Sequence, residues 1–330
     1  MADAWLENYR RNYSVFRDAA KEVRKQIEES ISGRPFSVQV IEARAKDPGS
    51  AAEKVGRKKY GRPGQQMDDI LGVRIITLYE HNVVEVADRL RAAFEVDESR
   101  SGDKTKQLGM GQVGYRSSHL VLKPRKSGLG RTSRILESTR VEVQIRSVVA
   151  HAWAEIEHSL RYKIGTGVPN ELLRRFDALA GALELIDREF SGIEKAIVDE
   201  ISELCRHYSS GRMLSDPIST IQLLGVMAAA RRHAAPLGPH GLALEIEDAF
   251  LLSKLLRASG ILTVDDLMSA LASPDSQAVI RRYAESDPAG YLPENASAFV
   301  TIGAIIGLRR PELLGSTSIG GDPRLISAFE

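Results

Sequence analysis

Apolar residues recur at helical spacing over residues 5–30, where Tyr9, Tyr13, Phe16, Val23 and Ile27 punctuate a highly charged stretch. That spacing predicts an amphipathic helix, ended by Gly33 and Pro35. A short extended piece over 36–41 follows. Ser50 with Glu53 has the form of a capping box and predicts a helix start, on a segment carrying Lys54, Arg57 and Lys58. Residues 61–66 are turn-rich. Residues 73–78 are short, apolar and β-branched, the composition of a buried strand; 83–94 has helical character and 99–114 is a polar, glycine-rich loop. Two more strand-like runs, 118–122 and 141–145, are separated by a polar loop over 124–132. Strands alternating with helices, followed by a helical remainder, predict a sheet-containing core of the α/β or α+β kind.

Beyond the last of these strands the period changes. Leu172, Phe176, Leu179, Leu183, Ile186, Phe190, Ile193, Ile197, Ile201 and Leu204 are spaced by threes and fours, a heptad-like seam on a long helix. Ser191, Gly192 and Glu194 offer a point at which that helix could break. A seam of this length needs a partner surface: its own core, a following helix or a second subunit. From about residue 214 the chain has the pattern of a compact helical appendage, with helix starts marked by Thr263 with Asp266 and by Ser273 before Pro274. The expected organisation is a catalytic core over 1–165, a long amphipathic helix over 166–210 and a helical C-terminal domain over 211–330, the last without a motif that indicates chemistry.

With 330 residues the chain has room for two domains. Its 45 basic and 44 acidic residues nearly cancel, so a phosphate-binding function requires a local cluster of charge. The single cysteine, Cys205, excludes an intramolecular disulfide framework and supplies no zinc ligand set. No signal-peptide pattern opens the chain, and its longest apolar run, 298–308, is too short to span a bilayer. Both observations lead to the expectation of a cytoplasmic protein with no membrane partner.

Four pieces carry candidate chemistry, and each has an ordinary alternative. Asp68 and Asp69 stand at the mouth of a strand, with Gly72 permitting close backbone approach and Arg74 entering the strand; acidic residues before strands are also common loop residues. In residues 141–146 the alternation of a strand sends Val141, Val143 and Ile145 to one face and Glu142, Gln144 and Arg146 to the other. On a central strand such a polar row suits a cleft that holds a metal and phosphates, whereas on an edge strand it is simply solvated. Residues 114–122 place Tyr115, Arg116 and His119 at a strand start, where Tyr115 has a ring to stack on a base and Arg116 a guanidinium for phosphate; His119 is equally compatible with a core histidine. Finally, Arg44, Lys46, Lys54, Arg57, Lys58 and Lys59 form a basic tract suited to a triphosphate, or to a solvated helix face. The chain contains no Gly-x4-Gly-Lys-Ser/Thr loop.

The order and spacing of these pieces carry more than any one of them. Arg44, Lys46, Ser50 and Lys54, then Asp69, Gly72 and Arg74, then Gly114-Tyr115-Arg116-Ser117 with His119, then Glu142-Val143-Gln144-Ile145-Arg146, then Trp153 with His158 and Lys163 resemble the RelA/SpoT synthetase domain over about residues 40–165. The resemblance implies an α+β, nucleotidyltransferase-like fold: a mixed five-stranded sheet flanked by helices, here with a helical C-terminal extension. It also implies the reaction, transfer of the β,γ-pyrophosphate of ATP to the 3′-hydroxyl of GDP or GTP to give (p)ppGpp. By the same resemblance Asp69 and Glu142 would hold Mg²⁺, with Glu142 also the base. Tyr115 would stack on the acceptor guanine, Arg44 would lie against the adenine, and Lys46 and Lys54 near the phosphates. Arg57, Arg74, His119, Gln144 and Arg146 would be further nucleotide-binding residues of the cleft. Homo-oligomerisation is expected from the family's habit together with the seam.

Two departures bear on function. The stretch before Gly114 differs from the corresponding segment of typical small alarmone synthetases, which lies near the acceptor. No His-Asp dipeptide occurs, so the family's hydrolase domain is not expected. The alternatives are a toxin that pyrophosphorylates the tRNA 3′ end, an enzyme making (pp)pApp from an adenosine acceptor, and a catalytically inactive nucleotide-binding regulator.

Overall fold

A computed structural model describes residues 2–32, 38–103, 117–126, 130–164, 169–210, 212, 215–233, 246–285 and 296–314. Two compact units divide the chain, residues 1–193 and 194–330. The division falls inside a single helix, within the segment that the sequence pattern sets apart as 166–210.

The first unit is built on one mixed sheet. Its strands are β1 (Val38–Ala45), β2 (Leu71–Thr77), β3 (Glu95–Val96), β4 (Gly102–Asp103), β5 (Ser118–Lys123) and β6 (Val141–Ser147). The order is β1-β2-β6-β5-β3, with β4 also paired to β5, so six strands occupy a sheet whose main path is five strands wide. β2 and β6 run parallel; β1 with β2 and β5 with β6 are antiparallel. β6 is therefore central, which decides the reading of its polar row.

One face of the sheet is closed by hydrocarbon. Leu71, Val73 and Ile75 of β2, Leu120 and Leu122 of β5 and Val141, Val143 and Ile145 of β6 pack against helices α2 (Tyr13–Ile31), α5 (Glu80–Ala93) and α6 (Arg131–Ser138). Strand alternation sends every second residue to the opposite face. The register there aligns Arg44, Gly72, Glu142 and Val121 in one cross-strand row and Glu42, Arg74, Gln144 and His119 in the next.

A smaller cluster lies beside the end of β1. Helix α1 (Ala2–Arg11) places Leu6 and Tyr9 against Ala51 and Val55 of α3 (Pro48–Lys58), and against Met67 and Ile70. The expected single N-terminal helix is two, because Asn12 leaves helical geometry between α1 and α2. The start of α3 also differs from expectation. Asp47, not Ser50, is the N-cap; its side chain accepts from the Ser50 backbone N–H and Pro48 occupies the first turn. Asp47 is the better acceptor there because a carboxylate near a helix N-terminus also meets the positive end of the helix dipole. The turn-rich 61–66 segment contains a one-turn helix, α4 (Pro63–Gln66), and α6 begins within the expected loop over 124–132.

Helix α7 (Val148–Ile164) follows β6 directly. The Ser147 hydroxyl accepts from the Ala150 backbone N–H at 3.0 Å and donates to the buried carboxylate of Asp187. Asp187 lies on α8 (Asn170–Ser209), a continuous helix of 40 residues without the break foreseen near Ser191. Instead, Ser191 Oγ accepts from the Glu80 backbone N–H at 3.1 Å, which uses the hydroxyl to hold the helix rather than to start a new one. Trp153 meets Phe176 edge-on, their ring centroids 5.9 Å apart. Along α8 the seam residues Leu179, Ile186, Phe190 and Ile193 are exposed.

The second unit is helical among its described residues. The C-terminal end of α8 supplies Leu204, Cys205 and Tyr208 to a core shared with α9 (Thr220–His233), α10 (Ile246–Ala258), α11 (Val264–Ala272), α12 (Pro274–Glu285) and α13 (Ala296–Arg309). The apolar run expected to be too short for a membrane lies in α13, where Ile302, Ile305 and Ile306 are buried in that core. Among the described residues no helix is long and apolar enough to cross a membrane. Thr263 forms the foreseen capping box with Asp266.

Ser147 carries two roles at once, as helix cap and as donor to a buried carboxylate. Ser147→Ala is expected to cost about 2 kcal/mol, lowering the melting temperature by roughly 5 °C in a calorimetric or CD melt.

Candidate active site

The polar face of the sheet opens into a cavity of about 430 Å³ lined by residues of α2, β1, β2 and β6, with Lys46 and Asp69 at its end. Arg44 and Glu42 reach it from β1, Gly72 and Arg74 from β2, and Glu142 and Gln144 from β6. Asp69 precedes β2 and Lys46 follows β1. Because the Lys46 backbone N–H donates to the Ile70 carbonyl at 2.9 Å, the two strand ends are tied together at this point.

Two lysines converge on one carboxylate. Lys46 Nζ lies 2.9 Å and Lys54 Nζ 2.8 Å from Asp69 Oδ2. Lys54 gets there from α3, one turn before the exposed Arg57. Burial acts to raise the pKa of Asp69, but the hydrogen bonds and charges of Lys54 and Lys46 outweigh it and hold the carboxyl below its ordinary value. Its other oxygen, Oδ1, is buried and has no hydrogen-bond partner among the described residues.

Glu142 stands on the same cavity wall. His119 Nδ1 lies 3.4 Å from Glu142 Oε1, and this contact is the main reason the Glu142 carboxyl also sits below its ordinary value, against burial and the nearby charge of Asp69. His119 itself is buried among residues of β5, so it is neither free in the cleft nor a core histidine held by backbone. Gln144 Nε2 donates to Glu142 Oε2 at 3.4 Å and Arg146 Nη2 donates to Gln144 Oε1 at 3.4 Å, forming a chain along the polar face of β6. Arg146 is lowered by burial and by the adjacent Arg74, whose Nη1 pairs with Glu155 of α7 at 3.2 Å.

The structure thus gathers Asp69, Glu142, Arg44, Lys46, Lys54, Arg74, His119, Gln144 and Arg146 on or beside one cavity. Arg57 is exposed in the last turn of α3 and is not part of the cavity wall. Tyr115 and Arg116 lie outside the described residues. Two charged lining residues escaped sequence reasoning, Arg24 and Glu42. Arg24 is one charged residue among many on α2, where its Nε donates to Glu28 at 2.6 Å, and only the packing of α2 beside β1 brings it to the site. Glu42 was legible in principle, since it alternates with Arg44 along an extended segment.

Gly72 lies between Arg44 and Glu142 in the cross-strand row, and a Cβ added there would meet nothing within 4 Å. The glycine keeps the cavity floor open between a guanidinium and a carboxylate. Chemically the arrangement offers cationic groups to hold a polyphosphate. It also offers two ionised carboxylates whose unfilled oxygen capacity fits a hard divalent cation, since Mg²⁺ is commonly bound by one or two carboxylates together with phosphate oxygens. Among the described residues no cluster of three or more histidine, cysteine or acidic side chains forms a self-sufficient metal site.

Residues 43–167 match the family described as "Region found in RelA / SpoT proteins". The match spans 125 of the chain's 330 residues. It contains every strand of the sheet except the first five residues of β1, and both carboxylates. The chain is 28% identical over 194 residues to GTP pyrophosphokinase YjbM of Bacillus subtilis, covering 58% of this chain and 87% of that protein. It is also 28% identical over 133 residues to GTP pyrophosphokinase YwaC of the same organism, covering 40% of this chain and 60% of that one. A crystal structure of small alarmone synthetase 1 from Bacillus subtilis bound to its product pppGpp aligns with a TM-score of 0.49 and 26% identity, covering 58% of this chain and 99% of the other.

Two outcomes test this site directly. A carboxylate whose folded pKa lies below its unfolded value stabilises the fold above the unfolded range and loses that contribution as pH falls through the folded value. Lys54→Met removes one of the two donors to Asp69, so it is expected to lower stability by about 1 kcal/mol at pH 7. The gap between variant and wild-type melts should narrow as pH falls through the depressed folded value of Asp69 and close once Asp69 is protonated in both. Gly72→Val places a branched side chain in open space on a strand that tolerates it. The variant should melt like wild type and lose binding of a non-hydrolysable ATP analogue in titration calorimetry.

Proposed function

We propose that this protein is a Mg²⁺-dependent pyrophosphotransferase that moves the β,γ-pyrophosphate of ATP to the 3′-hydroxyl of GDP or GTP, making (p)ppGpp. The observation that carries this reading is the pairing of Asp69 and Glu142 on one cavity, surrounded by Arg44, Lys46, Lys54 and Arg74. The relatives named as GTP pyrophosphokinases support the same chemistry.

The residues divide the work by charge and position. Lys46 and Lys54 already bind an anion, the Asp69 carboxylate, at hydrogen-bond distance. A triphosphate in the cavity offers them more negative charge, and their transfer to its oxygens leaves Asp69 free to coordinate. Arg44, with Arg74 in the next row, would meet the adenine, and Arg146 and Gln144 extend the polar wall. Mg²⁺ held by Asp69 and Glu142 would neutralise phosphate charge and favour in-line attack. Glu142 is kept ionised at neutral pH by His119, so it can accept the proton of the 3′-hydroxyl. The new bond forms between that oxygen and the β-phosphorus of ATP, the α–β bridging bond breaks, and AMP leaves. Tyr115 would stack on the guanine of the acceptor. The reading includes no hydrolase activity, a cytoplasmic location and self-association, the last suited to the exposed apolar residues of α8.

The decisive experiment incubates the protein and Mg²⁺ with ATP labelled in its γ-phosphate, and separately with GDP, GTP, an adenosine nucleotide or bulk tRNA. Label on the guanosine nucleotides, with release of AMP, is the expected result. Label confined to tRNA or to the adenosine acceptor replaces the proposed acceptor, and no transfer at all points to a nucleotide-binding regulator. Glu142→Gln and Asp69→Asn are each expected to lower kcat by about a thousandfold or more, equivalent to roughly 4 kcal/mol of transition-state stabilisation.

A further inference from the structure

The N-terminal helix α1 precedes the matched region, which begins at residue 43, and none of its residues lines the cavity. It nevertheless reaches the site through the phenol of Tyr9, joined there by Tyr13 of α2. The Tyr9 hydroxyl donates to the Lys46 carbonyl at 2.6 Å, and the Tyr13 hydroxyl, from the start of α2, donates to the Ala45 carbonyl at 3.3 Å. These carbonyls belong to the residues at which β1 ends and the chain turns into α3.

The consequence is that both backbone polar groups of Lys46 are held from outside. Its N–H is bonded to Ile70, next to Asp69, and its carbonyl to Tyr9. The Tyr9 ring is 1% exposed and packs in the same cluster as Met67 and Ile70, which flank the Asp68–Asp69 pair in the chain. Trp5 stacks on it with centroids 5.1 Å apart, and Phe16 meets it edge-on at 4.7 Å. The phenol therefore cannot swing away without unpacking the cluster. Burial, with Tyr13, Asp47 and Asp69 nearby, pushes its pKa well up, so the hydroxyl remains a donor throughout the neutral range. A lysine has four rotatable side-chain bonds, and the usual difficulty in using it as a phosphate ligand is the entropy of directing it. Fixing the peptide on both sides reduces that freedom at its root.

We propose that Tyr9 is a positioning residue for the donor nucleotide: it acts through the Lys46 backbone to aim the Lys46 ammonium at the polyphosphate. The assignment rests on the reading of the cavity as an ATP site. It makes α1 part of the functional unit, although no α1 side chain lines the cavity.

The test is a double-mutant cycle on the full chain, read by calorimetric titration with a non-hydrolysable ATP analogue and by steady-state kinetics. Tyr9→Phe keeps the ring and the stack and removes only the donor. It is expected to weaken analogue binding about five- to tenfold, the order of one lost hydrogen bond, and to raise KM for ATP while KM for the guanosine acceptor stays unchanged. In a Lys46→Met background the same change should have no further effect, because the residue through which Tyr9 acts is gone. Melting curves of all four proteins separate this from loss of fold. Wild-type binding matched by an unaltered Tyr9→Phe protein overturns the proposal, as does an equal penalty with and without Lys46. Wild-type protein that binds no ATP analogue overturns the parent reading, and this one with it.

Discussion

The parallel pairing of β2 with β6 is the constraint on which the site depends. Parallel neighbours cannot be joined by a tight turn, so the chain must leave the end of β2 and return to the start of β6 through a long crossover. Here that crossover contains α5, β3, β4, β5 and α6. The pairing sets Gly72 opposite Glu142 and Arg74 opposite Gln144, which brings two acidic motifs that are remote in the chain onto one polar wall. Antiparallel β1 then adds Arg44 and Glu42 to the same rows. A slip of one residue in the β2–β6 register would turn Glu142 into the hydrocarbon face and Val143 into the cavity, so the apolar packing against α2 and α5 enforces the register of the chemistry.

Electrostatics explains why so much charge is tolerated in a half-enclosed space. Asp69 would be costly to bury alone, and so would Lys46 or Lys54. Grouped, two cations and one anion leave a net positive locus that remains one donor in excess, a suitable resting state for a site that receives a polyphosphate. Glu142 is stabilised separately, by His119 and Gln144, so the two carboxylates do not compete for the same cations. The positive surplus is local. It coexists with a chain whose charges nearly cancel, and it arises because α3 and the end of β1 carry their lysines to the same oxygen.

The two ends of the first unit are secured by different means. Beside the basic end, α1 provides an aromatic keel that grips backbone carbonyls. At the opposite end of β6, Ser147 both caps α7 and reaches Asp187, while Glu80 and Ser191 tie α5 to α8. The long helix α8 thus has a held inward side in the first unit and an exposed apolar side bearing Leu179, Ile186, Phe190 and Ile193. The seam was visible as a period in the residues. Which of its members find a partner depends on what packs beside them.

By itself the amino-acid sequence determined what local physics can write. It specified the strands at 71–77, 118–123 and 141–147 to within two residues, the alternation that separates Val143 from Glu142 and Gln144, the helix start at Thr263 and the mainly helical character of the described residues after Asn170. The order of its motifs also named nearly all the cavity's charged residues. Only the tertiary structure decided that β6 is central, that Asp47 rather than Ser50 caps α3, and that Arg57 faces outward while Lys54 faces Asp69. Arg24, Glu42, Tyr9 and the His119–Glu142 contact likewise emerged only from folding. The reason is common to all of them: periodicity tells which side of its own element a residue occupies, whereas strand neighbours and the partners of a side chain are set by contacts between segments distant in the chain.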